Sequence, residues 1–384
     1  MSQFTVPSRI LLGENIIDQS GILSGYGHKA LIVTGKHVVK SSMMSRLLAA
    51  LQRDGVEYAI FDGITGEPTD TMIDAGIKAY RDGNCDFCIG IGGGSPLDSA
   101  KAIAAMITNP GTIADYNGKT ITTPVPPVVA IPTTAGTGSE ATKFTIITDT
   151  AHGIKMLLKG DVLLPTAAIV DFSFGLDAPQ SVTVATGLDA LTHAIESFIS
   201  RKTMPLTDSY AVSAVKRIMK YLPQAYSHGS KAPDARREMA IAALEAGICI
   251  NNSSVTVVHG MSRPIGALFH VPHGISNAML LVTCLNDLKA DAAPRLASLE
   301  RAIHPEEFAL ADAELAERFI GNVTALCRIC QVPSLKAYGI PEDAFMSALD
   351  KMSADAIASG SPANAPKDYT AADCRRLYQH AFNA

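Results

Sequence analysis

The chain has 384 residues, is 47% hydrophobic and 18% charged, and carries a formal net charge of -5, which suits two domains with a large core. The slight acidity and the lack of a basic cluster argue against nucleic acid as a partner. No apolar run approaches the ~18–20 residues of a membrane helix, and Met1-Ser-Gln-Phe-Thr-Val-Pro7 lacks the basic and apolar regions of a signal peptide.

In chain order, residues from Phe4 to about Ala178 alternate short β-rich runs with helical stretches. The runs are Ala30–Thr34, Tyr58–Phe61, Cys85–Ile91, Val128–Ile131 and Ala168–Val170. Such alternation predicts a doubly wound, mainly parallel sheet, with antiparallel additions around Phe144–Thr148. From about Pro179 onward β-like runs nearly vanish and Ala/Leu-rich helical patterns take over. Pro223, Pro264, Pro272, Pro305, Pro333 and Pro341 are expected to punctuate them. The fold expected is an α/β domain over residues 1–179 followed by an all-α domain over residues 180–384.

Within the first half, Cys88-Ile-Gly-Ile-Gly-Gly-Gly-Ser-Pro-Leu-Asp-Ser-Ala-Lys101 reads as a buried strand turning into a helix, with Pro96 in its first turn. Gly92, Gly93 and Gly94 let the backbone come close to a phosphate, and the helix start offers free N–H groups. It is not the Rossmann fingerprint, because Ser95 stands where G-x-G-x-x-G has its third glycine. Ala130-Ile-Pro-Thr-Thr-Ala-Gly-Thr-Gly-Ser-Glu140 follows another apolar run and is rich in hydroxyls suited to a cofactor. Taken alone, the glycine-rich turn is more often a plain turn than a phosphate site, and the second element also reads as a simple turn.

In the second half, Asp189 and His193 stand four apart, which on a helix puts both side chains on one face. His259 and His273 are fourteen apart, roughly 21 Å along a continuous helix. Gly266, Pro272 and Gly274 are expected to break that stretch so both imidazoles can reach one point. Three neutral nitrogens and a carboxylate suit Fe(II), Zn(II) or a similar ion, able to act as a Lewis acid if one coordination position stays open. Taken singly, Asp-x-x-x-His is more often a surface pair and Pro-His-Gly a turn. Seven cysteines, an odd number, fit a reducing compartment, so a cytoplasmic location is expected. The Cys85/Cys88 and Cys327/Cys330 pairs read as core residues ahead of a zinc or redox site.

Gly92-Gly-Gly-Ser-Pro-Leu-Asp98, Pro132-Thr-Thr-Ala-Gly-Thr-Gly-Ser-Glu140, Thr186-Gly-Leu-Asp-Ala-Leu-Thr-His-Ala-Ile-Glu196 and Pro272-His-Gly-Ile-Ser-Asn-Ala278, in this order, resemble the iron-containing (group III) alcohol dehydrogenase family. The resemblance runs from Ala30 to at least Leu281. It implies that Asp189, His193, His259 and His273 hold the metal, and that Gly93, Gly94, Ser95 and Asp98 form the pyrophosphate turn. It further implies that Thr133, Thr134, Thr137, Thr142 and Lys155 line the dinucleotide site. The first domain would then bind NAD or NADP, and the second the metal and substrate. Hydride would pass between nicotinamide and a small alcohol or aldehyde in the cleft between the domains, and a dimer or larger homo-oligomer is implied.

Two departures stand out. Relatives often carry Met-Ala-His after the third ligand, where this chain has Met261-Ser-Arg263. Arginine stays charged and cannot shuttle protons near neutral pH, but it can grip an anionic group. Arg263 therefore either favours an acidic substrate or pairs with a nearby acid or the cofactor phosphates. Second, many relatives have an aspartate where Gly35 stands. Such an acid binds the ribose 2′-hydroxyl and repels a 2′-phosphate, so Gly35 followed by Lys36, His37 and Lys40 points to NADP(H) being accepted. His270 is a candidate proton relay or a surface residue. Competing readings are a metal-dependent lyase of the dehydroquinate synthase type and a reductase similar to maleylacetate reductase.

Overall fold

Apolar runs bounded by turns form eight strands in the computed structural model, which describes residues 3–307 and 309–383. Met1 and Ser2, the start of the segment read for a leader, lie outside the described residues. The strands are β1 (Arg9–Gly13), β2 (Lys29–Val33), β3 (Glu57–Phe61), β4 (Phe87–Gly92), β5 (Val128–Pro132), β6 (Phe144–Asp149), β7 (Ile154–Lys159) and β8 (Ala167–Asp171). Six of them form a parallel sheet in the order β1-β8-β5-β4-β2-β3. β6 and β7 pair as a separate antiparallel hairpin, where an antiparallel addition is expected.

Helices α1 (Lys36–Val39), α2 (Ser42–Arg53), α3 (Asp70–Asp82) and α4 (Gly94–Thr108) connect these strands. Every residue of β4, β5 and β8 is buried, which is why they read as continuous apolar runs rather than alternating ones. Strand side chains still alternate between faces. Leu31, Val33 and Cys88 pack with Ile73 and Ile103, while Ile32, Phe87 and Ile89 pack with Leu47 and Leu51. From β2 the chain runs to β3 on one side, then crosses to β4 and β5 on the other. The carboxyl ends of β2 and β4 therefore flank a topological switch point, where open α/β sheets bind ligands. Thr34 Oγ1 donates to the Ile91 carbonyl at 2.8 Å and ties those ends together.

The second unit is helical: α5 (Gln180–Ile199), α6 (Pro205–His228), α7 (Pro233–Ser253), α8 (Val257–Phe269), α9 (His273–Leu288), α10 (Ala293–Ile303), α11 (Asp312–Ile329), α12 (Glu342–Ala358) and α13 (Ala371–Asn383). α5 is buried on nearly all sides and packs against α6, α7 and α9, as an all-round apolar helix must. Internal contacts divide the chain into Thr5–Ala178 and a unit from Pro179 onward. Phe4 belongs with the second, its ring stacked on Tyr210 at 6.2 Å.

Several local expectations are corrected. Pro223 lies inside α6 and Pro264 inside α8. Each proline removes one intrahelical hydrogen bond, but Leu222 and Ile265 beside them are fully buried and packing carries the helices through. Gly266 likewise lies within α8; the break falls at His270, which takes a left-handed φ of 54°, and at Pro272, which caps α9. Cys85 precedes β4, and all seven cysteines are buried and free. Among the described residues no single helix is long and apolar enough to cross a membrane.

Candidate metal centre and nucleotide turn

Three helices converge on one point in the second unit. α5 supplies Asp189 and His193, α8 supplies His259 and α9 supplies His273. The Nε2 atoms of all three histidines lie 3.7 Å from Asp189 Oδ1, and the four potential ligand atoms are all within 4.8 Å of one another. A tetrahedral site with bonds of ~2.0–2.2 Å has ligand-to-ligand edges of roughly 3.3–3.6 Å, so the spacing fits a divalent ion. Close approach of α9 to α5 depends on Gly274. A Cβ there would sit 2.0 Å from the Ala185 carbonyl oxygen.

The surroundings orient these side chains toward one another. Glu196, buried on α5, accepts hydrogen bonds from Thr256 Oγ1 at 2.6 Å, Val258 N at 2.7 Å and His259 Nδ1 at 2.5 Å. One carboxylate thus caps the start of α8 and fixes His259 with Nε2 as the acceptor, the usual way an outer carboxylate orients a ligating histidine. Asn277, one turn after His273, donates from Nδ2 to Asp189 Oδ1 at 2.7 Å and approaches Nε2 of His259 and His273 at 3.1 and 3.3 Å. Its Oδ1 is buried without a hydrogen-bond partner. Burial works to raise the pKa of Asp189, but His193, His273 and the hydrogen bond to His259 outweigh it and hold the carboxyl well below the usual range. Burial drives His273 down to about 3 despite Asp189, so it is neutral near pH 7. For His259 burial opposes the charge, yet Glu196 and Asp189 hold its pKa above the ordinary value.

In the first unit the turn after β4 lies under the 133–138 loop. Thr133 N donates to the Gly92 carbonyl at 2.8 Å. Gly92 has a φ of 147°, and a Cβ on Gly94 would meet Thr137 Cγ2 at 2.8 Å. Thr134 stands 3.5 Å from where a Gly93 Cβ would be. α4 starts at Gly94 and Ser95 with no side-chain cap, leaving its first N–H groups available for an anion. Asp98 and Thr142 turn inward. Asp98 accepts from Ser139 Oγ at 2.5 Å and Ile146 N at 2.9 Å. Thr142 is buried and accepts from Lys101 Nζ at 3.0 Å. Both therefore shape the loop. Lys155, on β7, pairs with Glu67 at 2.6 Å. Gly35 bridges Gly63, and a Cβ on it would lie 2.8 Å from the Ile64 carbonyl oxygen.

Family models match in two consecutive pieces. That for "Iron-containing alcohol dehydrogenase" covers residues 7–172, and that for "Fe-containing alcohol dehydrogenase family, C-terminal" covers residues 183–382. This chain belongs to the iron-containing alcohol dehydrogenase family. It is 34% identical to a 1,3-propanediol dehydrogenase of Klebsiella pneumoniae, over 100% of this chain and 99% of that protein. It is 37% identical to an NAD-dependent methanol dehydrogenase of Bacillus methanolicus, over 83% of this chain and 84% of that protein. A crystal structure of 1,3-propanediol oxidoreductase superposes with a TM-score of 0.94 at 32% identity and full coverage of both chains.

For this iron-containing alcohol dehydrogenase family member, sequence reasoning singled out the four converging residues but passed over Glu196, Asn277 and Lys101. Glu196 and Asn277 sit inside the quoted motifs, at i+3 from His193 and i+4 from His273. That spacing puts each on its ligand's helix face and is the signal that could have found them. Arg263 follows His259 by one turn; its Nη1 donates to Ser361 Oγ at 3.2 Å and its Nε is buried without a partner. His270 is exposed at the hinge between α8 and α9.

Proposed function

We propose that this chain is a metal-dependent alcohol dehydrogenase and aldehyde reductase acting on small alcohols and aldehydes, with Asp189, His193, His259 and His273 holding iron or zinc. The observation that carries this is the placement of three imidazole Nε2 atoms 3.7 Å from one carboxylate oxygen. When bound, the ion supplies Lewis-acid polarisation of the alcohol or carbonyl oxygen and the nicotinamide supplies or accepts the hydride. Asp189 contributes the anionic ligand, Glu196 fixes the tautomer of His259, and Asn277 orients Asp189. The relatives named for 1,3-propanediol and methanol support a short-chain alcohol as substrate.

Residues 1–179 form the dinucleotide-binding domain in this reading, and residues 180–384 the metal and substrate domain. Gly92 to Ser95 and the start of α4 receive the pyrophosphate. Thr133, Thr134, Thr137 and Lys155 line the site, with Asp98 and Thr142 acting through the loop they anchor. NAD(H) is the cofactor, and NADP(H) is accepted too. No acid occupies position 35, while Lys36, His37 and Lys40 stand exposed beside it. His270 exchanges the proton with solvent. The free cysteines support a reducing, cytoplasmic location, and a homo-oligomer is the expected assembly.

Anaerobic reconstitution with Fe(II) or Zn(II), followed by NADH- and NADPH-linked reduction of small aldehydes, tests the proposal. Ion-dependent oxidation of the cofactor is expected. Absence of turnover with either ion, despite nucleotide binding, would sink it. A Michaelis constant for NADPH far above that for NADH would sink the dual-cofactor reading alone.

A further inference from the structure

Among the described residues, Arg263 is a strongly charged side chain beside the four-residue cluster that the proposed chemistry leaves without a task. It lies four residues after His259 on α8, so its side chain leaves the helix on the same face, one turn along. A guanidinium carries five N–H donors and stays charged at any pH the protein meets. Here one of them reaches Ser361 Oγ at 3.2 Å. Nε is buried with no hydrogen-bond partner, and among the described residues no carboxylate pairs with Arg263. The acid whose charge bears on it is Glu196, which favours the guanidinium against burial, but the Glu196 oxygens are hydrogen-bonded to Thr256, Val258 and His259 rather than to Arg263. The positive charge of Arg263 also bears on His273, adding to the effects that keep that imidazole neutral. A divalent ion in the cluster would be balanced by Asp189 and Glu196, leaving the guanidinium charge over. A buried donor without a partner carries an uncompensated desolvation cost, which an anion placed against it would offset.

We propose that Arg263 is a specificity-determining residue that grips the carboxylate or phosphate at the far end of a short aldehyde substrate whose carbonyl is reduced at the Asp189/His193/His259/His273 cluster. This rests on the reductase reading above and narrows it to anionic aldehydes and the matching hydroxy acids. Guanidinium forks match such planar oxyanions in a bidentate manner. Neutral aldehydes of the same length lack that contact and leave the donors unpaired.

Succinic semialdehyde and butanal, alike in carbon number and differing in the terminal carboxylate, are the probes. kcat/KM for each is measured with the metal-loaded wild type, R263Q and R263K, after thermal melts confirm that the variants fold. The ratio of succinic semialdehyde to butanal is expected to fall roughly 10- to 100-fold in R263Q, the scale of a charge-assisted hydrogen bond, mainly through KM, with partial recovery in R263K. Equal loss for both aldehydes, or a loss confined to the Michaelis constant of NADH, would overturn the proposal, the latter by assigning Arg263 to the nucleotide phosphates. Calorimetric binding of succinate gives a readout independent of turnover. Binding by wild type that R263Q loses supports the anion site even if reductase activity fails, and equal binding by both overturns it.

Discussion

Two buried polar clusters, one in each unit, use charge in opposite ways. In the α/β unit Lys101 is fully buried, and its three ammonium protons go to Ser139 Oγ, Thr142 Oγ1 and the Phe144 carbonyl at 2.8–3.0 Å. Asp98 completes the set by accepting from Ser139 and the backbone of Ile146. Donors and acceptors match, so the network is closed and holds the loop between β5 and β6 in place. The Asp189 cluster in the helical unit is the reverse. One carboxylate and three imidazole nitrogens face one another, with the Asn277 amide directed at Asp189, His259 and His273. An excess of lone pairs around one point is unfavourable unless a cation sits among them. A saturated network builds structure, whereas an acceptor-rich one builds a binding site.

The largest expected effect breaks the second cluster. Asp189→Ala should abolish stoichiometric iron or zinc, measured by elemental analysis, and lower aldehyde reduction by ~1,000-fold or more, since Lewis-acid stabilisation is worth several kcal/mol. Saturating Zn(II) should stabilise the wild type by about 4 kcal/mol at 1,000 times its dissociation constant and leave this variant unmoved. Retained metal would contradict the ligand assignment. Lys101→Met should do the opposite, keeping the metal but costing roughly 3–5 kcal/mol in urea unfolding, because Asp98 loses its buried counter-charge. It should also raise the Michaelis constant for NADH as the loop loosens. A variant as stable as wild type would show that the network is dispensable.

Finer changes sharpen the contrast. Glu196→Gln keeps all four ligands and should weaken metal affinity about 10- to 100-fold, the cost usual for an outer carboxylate; competition against a metallochromic chelator measures it. Glu140 gives the α/β unit a pH signature. Burial pushes its carboxyl up to about 7, against the lowering effect of backbone hydrogen bonding and Lys101. The native state therefore holds a proton that the unfolded chain has already released. Stability falls as pH rises from about 4.5 to 7 on this account. The stability of Glu140→Gln relative to wild type should grow across that window by on the order of 1–3 kcal/mol, and a flat difference would refute it. The smallest effect expected is from His270→Gln, a few-fold fall in turnover with a changed pH profile; an unaltered profile would leave His270 as a hinge residue alone.

How legible these clusters were follows from contact distance along the chain. Asp189 and His193 share one helix turn, so their spacing announced them, and the glycines between β4 and α4 announced a close strand-to-helix turn in the same local way. β1 gave no such signal. It is short, half-exposed and paired with β8, more than 150 residues on. β7 lies in a polar hairpin flanked by lysines at Lys155 and Lys159, which masks its alternation. Lys101 sits in plain helical sequence, and nothing local distinguishes a buried lysine from an exposed one, because the three acceptors that permit burial lie 38 to 43 residues away.

By itself the sequence determined the parallel sheet, the change to helices near Pro179, the family and which four side chains to look for at one point. These rest on periodicity, turn chemistry and short motifs, which act over a few residues. Tertiary structure alone decided that Gly274 lets α9 touch α5, that Glu196 both caps α8 and fixes His259, that Pro223 and Pro264 stay within helices, and that Arg263 stands beside the cluster with its Nε unpartnered. Each of these depends on which distant surfaces meet, and burial sets the energy of a polar group only once its neighbours are in place.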